Sequence, residues 1–580
     1  MTNILKFLLK FLDEDKFYDK CKKNKKCNKK CSHNDCKNLK IQTGYGQTIS
    51  LNVKSYITPL LENYAKEHKG GFIYGGNIKS SQSYFTSTGT GDNKDNKITK
   101  DSIYWWASSS KIFTGLVITK MIEESIISPY TKLYELNKLF VGKGTYYTSI
   151  KIINSSTFPF DPSSYEFQTD TFNWDDVTLS DLIHMNIGLI TDYIVVGALG
   201  PITFSPEAKQ QILADGSIQS LGTYIQLATY FYRMISGNPI GLASRIYAGE
   251  KSQDVLVDYL EKLIDANKSG ILPLISKPNT YITYNLPYGL RGIPSSYDTS
   301  YLFIGSVLDP ALKKAGYKNY ADYARKKFFI PMNMKNSWIV QQEVIPQCKF
   351  DKIIDTSWRR APTLGLTQNF DINNPSTWFG FACSSEYRNA SSGNPKGPLV
   401  WSQDKLYEND GLSKLFSSIY NTTPYPNLQA VTNAPLVSSI SDYSKLIKMV
   451  CNRGFYKDKQ ILKTESWNYL IGVKIPPVSI TTSSPYPINR DELSSQSWAM
   501  GFGRINRDLS NITTYGYDET SCFWAGLSGC YYLFDYYTGN YVIYGMPESR
   551  LSSGTLDIPG LGTPAYNAKI TSEFLIKQIK

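Results

Sequence analysis

From residue 110 to 124 the chain reads Ser-Lys-Ile-Phe-Thr-Gly-Leu-Val-Ile-Thr-Lys-Met-Ile-Glu-Glu. Apolar side chains fall on nearly every face of a helix here, not on one stripe, so the pattern predicts a helix surrounded by protein. Lys111 opens it. A lysine at the start of a buried helix is paired, exposed at the end, or functional. Other segments have other periods. Residues 51–67 predict a helix ending near Gly70-Gly71, and 71–74 and 83–87 predict short strands followed by a polar loop over 89–97. Residues 438–451 predict a helix with Asp442 in its first turn and Leu446, Ile447, Met449 and Val450 packed. Residues 530–534 and 541–544 predict two antiparallel strands joined by the Tyr537-Thr538-Gly539-Asn540 turn. Residues 569–579 predict a last helix. Helices in the middle with strands toward both ends imply an α+β fold whose sheet unites the termini. Residues 190–290 and 365–435 lack a sustained period and read as insertions within the same domain.

Composition separates a tail from this body. The chain has 580 residues, 41% of them hydrophobic, which is ample for a large core. Residues 1–40 hold twelve Lys against five acidic residues, so more than half of the net charge of +12 sits there. The basicity therefore marks a tail, residues 1–45, and not the body over 46–580. That tail has no Arg, the side chain suited to bidentate base or phosphate contacts, so no specific nucleic-acid partner is expected. It also crowds Cys21, Cys27, Cys31 and Cys36 around His33 at spacings unlike paired zinc ligands. Free thiols, two disulfides or a small metal knot all remain open. No run approaches the about 20 apolar residues that cross a bilayer. Ile4, Leu5, Leu8 and Leu12 make a short amphipathic helix without the unbroken apolar core of a secretory signal. A cytoplasmic place is compatible with this.

The chemistry centres on Ser108 and Lys111. Three residues are one helical turn, so the amine returns to the face of the hydroxyl. A buried amine loses its proton more easily, and a neutral amine beside a hydroxyl can take the hydroxyl's proton and leave a nucleophile. By itself the spacing is weak, since Ser and Lys are common residues. With three His in 580 residues, a His-dependent triad and an H-E-x-x-H zinc site are excluded. His184 and His68 read as structural, and no cofactor is implied.

Context sharpens the spacing. Ala107-Ser108-Ser109-Ser110-Lys111-Ile112-Phe113-Thr114-Gly115 resembles the G-S-V-S-K-T-F-T-G nucleophile segment of class C β-lactamases and related penicillin-binding proteins and esterases. Further similar segments follow in the family's order. Ile103 to Trp106 resembles the strand before the serine, and Val177 to Leu189 resembles I-T-I-R-H-L-L-T-H-T-S-G-L. Phe329 to Ser337 resembles I-F-x-P-L-G-M-K-N-T, and Pro435 to Tyr443 resembles G-G-L-x-S-T-A-x-D-x. Met500-Gly501-Phe502-Gly503 resembles Y-G-L-G-F.

The resemblance implies a β-lactamase/transpeptidase-like fold, an antiparallel sheet flanked by helices with an all-helical subdomain. It also implies an acyl-enzyme on Ser108 with Lys111 sharing acid–base work. The family's Tyr-x-Asn element has its nearest match at Ser296-Tyr297-Asp298-Thr299-Ser300-Tyr301, one residue short. Either a deletion puts Tyr297 in the catalytic place with Thr299 for the Asn, or strict counting puts Ser296 there with Asp298. The family's Lys-Thr-Gly or His-x-Gly strand corresponds to Trp524-Ala525-Gly526. Trp524 replaces the cation that would hold a substrate carboxylate, and Gly526 is expected to let substrate approach. The oxyanion donors carry over to the backbone N–H groups of Ser108 and Leu527, each typically worth about 3 kcal/mol in the transition state.

These features predict a serine hydrolase acting on small ester, amide or peptide-like substrates, with β-lactams less favoured. The alternative is a weak or inactive penicillin-binding-like fold used for binding or structure. The Asn, Lys, Ile and Tyr content suggests an AT-rich genome, and the chain resembles penicillin-binding-like proteins of large DNA viruses or of similarly biased organisms, so a virion-associated place stands beside a cytoplasmic one.

Overall fold

The computed structural model describes residues 70–79, 82–89, 97–152, 165–189, 261–271, 273–274, 277–279, 283–285, 291–294, 299–339, 342–343, 345–354, 357–360, 432, 435–472, 496–505, 520–526, 530–545, 548–552 and 555–557. The basic tail, the expected helices over 51–67 and 569–579, and most of both expected insertions lie outside them.

In chain order the elements that frame the site are strands β1 (Gly70–Asn77), β2 (Gln82–Gly89) and β3 (Ile103–Trp105), then helix α1 (Lys111–Glu123). A hairpin of β4 (Lys143–Ile152) and β5 (Tyr165–Asn173) precedes the short helix α2 (Leu179–Ile183). Helix α3 (Thr299–Lys314) and strands β6 (Ser337–Ile339) and β7 (Leu436–Ser439) follow. Helices α4 (Ile440–Cys451) and α5 (Thr464–Ile471) come next. Strands β8 (Gln496–Trp498), β9 (Gly503–Ile505), β10 (Ser521–Gly526), β11 (Cys530–Asp535) and β12 (Asn540–Gly545) complete the frame.

Seven strands form one antiparallel sheet in the order β8-β9-β10-β11-β12-β1-β2. The sheet closes the chain on itself: β1 lies beside β12, with Phe72 opposite Gly545 and Asn77 opposite Asn540. The α+β expectation is met. Every residue of β11 and β12 is buried, which is why both have aromatic and aliphatic interiors, Tyr531 to Phe534 and Tyr541 to Tyr544, without polar alternation. Their turn is set by Asp535, whose carboxylate accepts from the N–H groups of Tyr537 and Thr538 at 2.8 and 3.2 Å. The left-handed turn position falls on Gly539, at φ +81°.

Helix α1 is buried over ten of its positions, from Lys111 to Met121, as its all-round apolar pattern predicts. Gly501, at φ +86°, sits where a side chain would lie 2.5 Å from the Lys111 carbonyl oxygen. The Met500-Gly501 turn can therefore lie directly on α1, a close approach that only glycine permits.

A second sheet of three antiparallel strands, β3-β7-β6, carries the segment that leads into α1. The helix expected over 438–451 begins later than its sequence pattern: Ser438 pairs with Tyr104 in β7, and Ser439 caps α4 by accepting from the Asp442 N–H. Buried Asp442 also accepts from the Asn336 N–H at 2.6 Å and from the Lys445 ammonium at 2.6 Å. One carboxylate thus ties the start of α4 to the 329–337 segment.

Candidate active site

Strand β3 ends at Trp105, and Trp106 continues the pairing by donating its N–H to the Leu436 carbonyl at 3.1 Å. The chain then turns sharply. Ala107 has φ +39°, a left-handed conformation that costs a side-chain-bearing residue roughly 1–3 kcal/mol. A single 3-10 turn, Ala107–Ser110, follows and passes directly into α1. The abrupt entry leaves Ser108 half-buried at the helix start while Ala107, Ser109 and Ser110 are buried.

Lys111 is fully buried, and its Nζ donates to Ser108 Oγ at 2.7 Å. The one-turn spacing in the sequence has become a direct contact between the two groups. In a low-dielectric setting such a contact couples the protonation of the amine to that of the hydroxyl.

The turn is clamped from two sides. On the three-stranded sheet side, Trp106 Nε1 donates to the Ser438 carbonyl at 3.2 Å, and Ser110 Oγ donates to the Ala107 carbonyl at 2.5 Å. The Tyr443 hydroxyl donates to the Ser109 carbonyl at 2.7 Å, and its ring stacks on Trp106 at 3.7 Å with 9° between planes. Burial, with Tyr532 and Cys530 nearby, pushes the Tyr443 phenol well above its usual range, so it remains a donor. On the large-sheet side, Cys530 Sγ donates to the Trp106 carbonyl at 3.2 Å and lies 3.3 Å from Ser109 Oγ.

Gly526 closes this second side. A Cβ there would lie 2.7 Å from the Trp106 carbonyl oxygen and 3.1 Å from the Ser109 nitrogen. The glycine's lack of a side chain thus serves the fit of β10 against the Ala107–Ser110 turn. The family resemblance implies a glycine here for substrate approach, and the packing against Trp106 and Ser109 is a second and sufficient reason for it.

Trp524, two positions earlier on β10, is 1% exposed and packs edge-on against Trp498 at 4.6 Å. Where the resemblance places a cation, the protein has an aromatic pair. Thr299 is the first residue of α3. Ser296, Tyr297, Asp298 and Leu527 lie outside the described residues. Tyr301, the second tyrosine of that motif, is fully buried and its ring lies against Gly501. His184 ends α2, with its Nδ1 3.1 Å from Ser180 Oγ.

Sequence reasoning missed Tyr443 and Cys530. Tyr443 falls at a position where the matched motif specifies no residue type, and Cys530 sits in a strand whose pattern reads as core.

No family model and no curated protein matches the sequence. Solved structures do match the fold. Unliganded simvastatin synthase (LovD) from Aspergillus terreus, as its selenomethionyl derivative, aligns with TM-score 0.51 at 10% identity, over 91% of this chain and 98% of that one. EstCE1, described as a hydrolase with promiscuous acyltransferase activity, aligns with TM-score 0.51 at 10% identity, over 90% and 98%. The chain therefore has the β-lactamase/transpeptidase-like fold. Neither of these two structures is named as viral, and they lend the viral resemblance no support.

Proposed function

We propose that this protein is a serine acyl hydrolase or acyltransferase that carries its acyl group on Ser108. The observation that carries the reading is the 2.7 Å contact between Ser108 Oγ and the fully buried Lys111 amine. In the first step Ser108 Oγ attacks the acyl carbonyl carbon, and its proton passes to Lys111 in the neutral form of the amine. The bond from the acyl carbon to the leaving oxygen or nitrogen breaks, and the leaving group departs with a proton. Tyr297 is assigned the delivery of that proton, and the N–H groups of Ser108 and Leu527 the stabilisation of the oxyanion. Lys111 passes the proton it took to Tyr297, which restores both groups. Water, or an alcohol in an acyl transfer, then attacks the ester carbon, the carbon–Oγ bond breaks, and the attacking oxygen's proton passes through the same pair to Ser108 Oγ.

The substrate assigned is an uncharged ester or amide. At the position where a lysine or histidine would bind a carboxylate stands Trp524, an uncharged side chain buried against Trp498. The name of one structural neighbour, a hydrolase with promiscuous acyltransferase activity, agrees with this chemistry. A second reading, the fold retained for binding without turnover, is favoured by the same burial of Trp524.

One experiment separates the two. The full chain is treated with a fluorophosphonate probe and, in parallel, with short-chain p-nitrophenyl esters and a fluorescent penicillin. The hydrolase reading expects a covalent adduct on Ser108, absent in Ser108→Ala, and a burst of nitrophenol. An unlabelled wild type, or equal labelling of Ser108→Ala, overturns it.

A further inference from the structure

We infer that Tyr443 is a positioning residue for Ser108, its hydroxyl holding the Ser109 carbonyl so that the nucleophile turn keeps Ser108 facing Lys111. The inference rests on the reading that Ser108 is the nucleophile. It starts from a mismatch between local preference and observed geometry. Ala107 occupies a left-handed conformation that alanine does not favour, at φ +39°. The turn must therefore be held from outside, and a small rotation of the peptides on either side of Ser109 would swing the Ser108 hydroxyl away from the amine.

Tyr443 is placed for this. Its hydroxyl reaches the Ser109 carbonyl from a helix 334 positions later in the chain. Its ring is fixed by stacking on Trp106, the residue before the turn, so both ends of the turn are referred to one side chain. The helix under Tyr443 is itself immobilised by the Ser439 cap and by the Asp442 contacts to Asn336 and Lys445. Side chains locked in this way hold reacting groups to the sub-ångström precision that acyl transfer needs. An aromatic ring alone would meet the packing requirement of the core. The hydroxyl, buried and kept protonated by its surroundings, is the added feature, and it is directed at the turn.

The test compares Tyr443→Phe with a control of the same chemistry, Tyr323→Phe. Tyr323 is also fully buried, and its hydroxyl donates to Glu124 just beyond the far end of α1. Labelling of Ser108 by a fluorophosphonate, and kcat and KM on a p-nitrophenyl ester, are measured for each. The expected result for Tyr443→Phe is a labelling rate and kcat lowered about tenfold, with KM little changed, as for a reacting group slightly misplaced. Tyr323→Phe is expected to label at the wild-type rate despite a similar loss of thermal stability. Should Tyr443→Phe fail to fold, 4-aminophenylalanine and 4-fluorophenylalanine at position 443 fill the same space. The amino donor is expected to retain the rate and the fluoro group to lose it. Wild-type rates in Tyr443→Phe, or equal rates for the two analogues, overturn the inference. An unlabelled wild type instead overturns the assignment of Ser108.

Discussion

Lys111 Nζ lies 2.7 Å from Ser108 Oγ, and no part of Lys111 reaches solvent. A buried amine is a poor contributor to stability and a good contributor to proton transfer. Replacement by an apolar side chain of similar length separates these roles. Lys111→Met is expected to unfold at a midpoint equal to or above that of the wild type, while Ser108 labelling falls by roughly 10²-fold or more. Thermal unfolding and the rate of fluorophosphonate labelling, taken on the same preparation, check both halves.

The left-handed Ala107 gives a second prediction. Ala107→Gly removes the side chain that makes φ +39° costly, at the expense of a more flexible unfolded chain, so its stability should lie within about 1 kcal/mol of wild type. Ala107→Val places a branched side chain at the same angle in a site that is 1% exposed and should cost at least about 2 kcal/mol. Denaturant unfolding of the two variants would show that order. The reverse order would mean that the turn is not strained.

Gly526→Ala tests the fit of the large sheet against the Ala107–Ser110 turn. The added methyl would meet backbone atoms of Trp106 and Ser109, which cannot swing aside as a side-chain tip does. Overpacking of this kind costs roughly 1–3 kcal/mol, and here it pushes on the turn itself. The expected outcome is a lower unfolding midpoint together with slower labelling of Ser108. A Gly→Ala change that lowers stability and leaves labelling untouched would place the contact outside the site.

A fourth prediction concerns pH, away from the site. Burial raises the Tyr74 phenol, but the Lys448 ammonium, 3.2 Å from its oxygen, outweighs this with help from Ser444 and Ser83, and the phenol lies below its ordinary value of 10.0. A depressed acid stabilises the fold when ionised. The contribution is therefore present above the unfolded value of 10.0 and lost as pH falls through the lower folded value, so it is absent near neutrality. Difference absorbance at 295 nm between wild type and Tyr74→Phe should show one phenol ionising ahead of 10.0, and Lys448→Met should move it upward.

The sequence makes some of this legible for physical reasons. The Ser108–Lys111 contact follows from helical spacing alone, a local rule. The β11–β12 hairpin follows from β-branched and aromatic runs around an Asp- and Gly-containing turn. Ser438 and Ser439 read as helix because their neighbours have helical period, yet Ser438 joins a strand whose partners are Tyr104 and Ser337. Strand pairing over such separations leaves little local trace. Tyr443 is harder still: in sequence it is an apolar-face residue of an amphipathic helix, and only the folded chain shows its hydroxyl directed at Ser109. Trp524 is legible as the loss of a cation, whereas its burial against Trp498 depends on which strands become neighbours.

The anchors of the Ala107–Ser110 turn have a consequence for how the protein comes into being. Leu436, Tyr443, Gly526 and Cys530 all follow the turn by more than 300 positions, and β1 waits for β12, with Asn77 bonded to Asn540 across 463 residues. A polypeptide still emerging from the ribosome already carries Ser108 and Lys111 but none of the surfaces that hold them in place. Reactivity at Ser108 should thus arise late in biosynthesis, in one step with closure of the sheet, and folding should be slow because its decisive contacts are so distant in sequence.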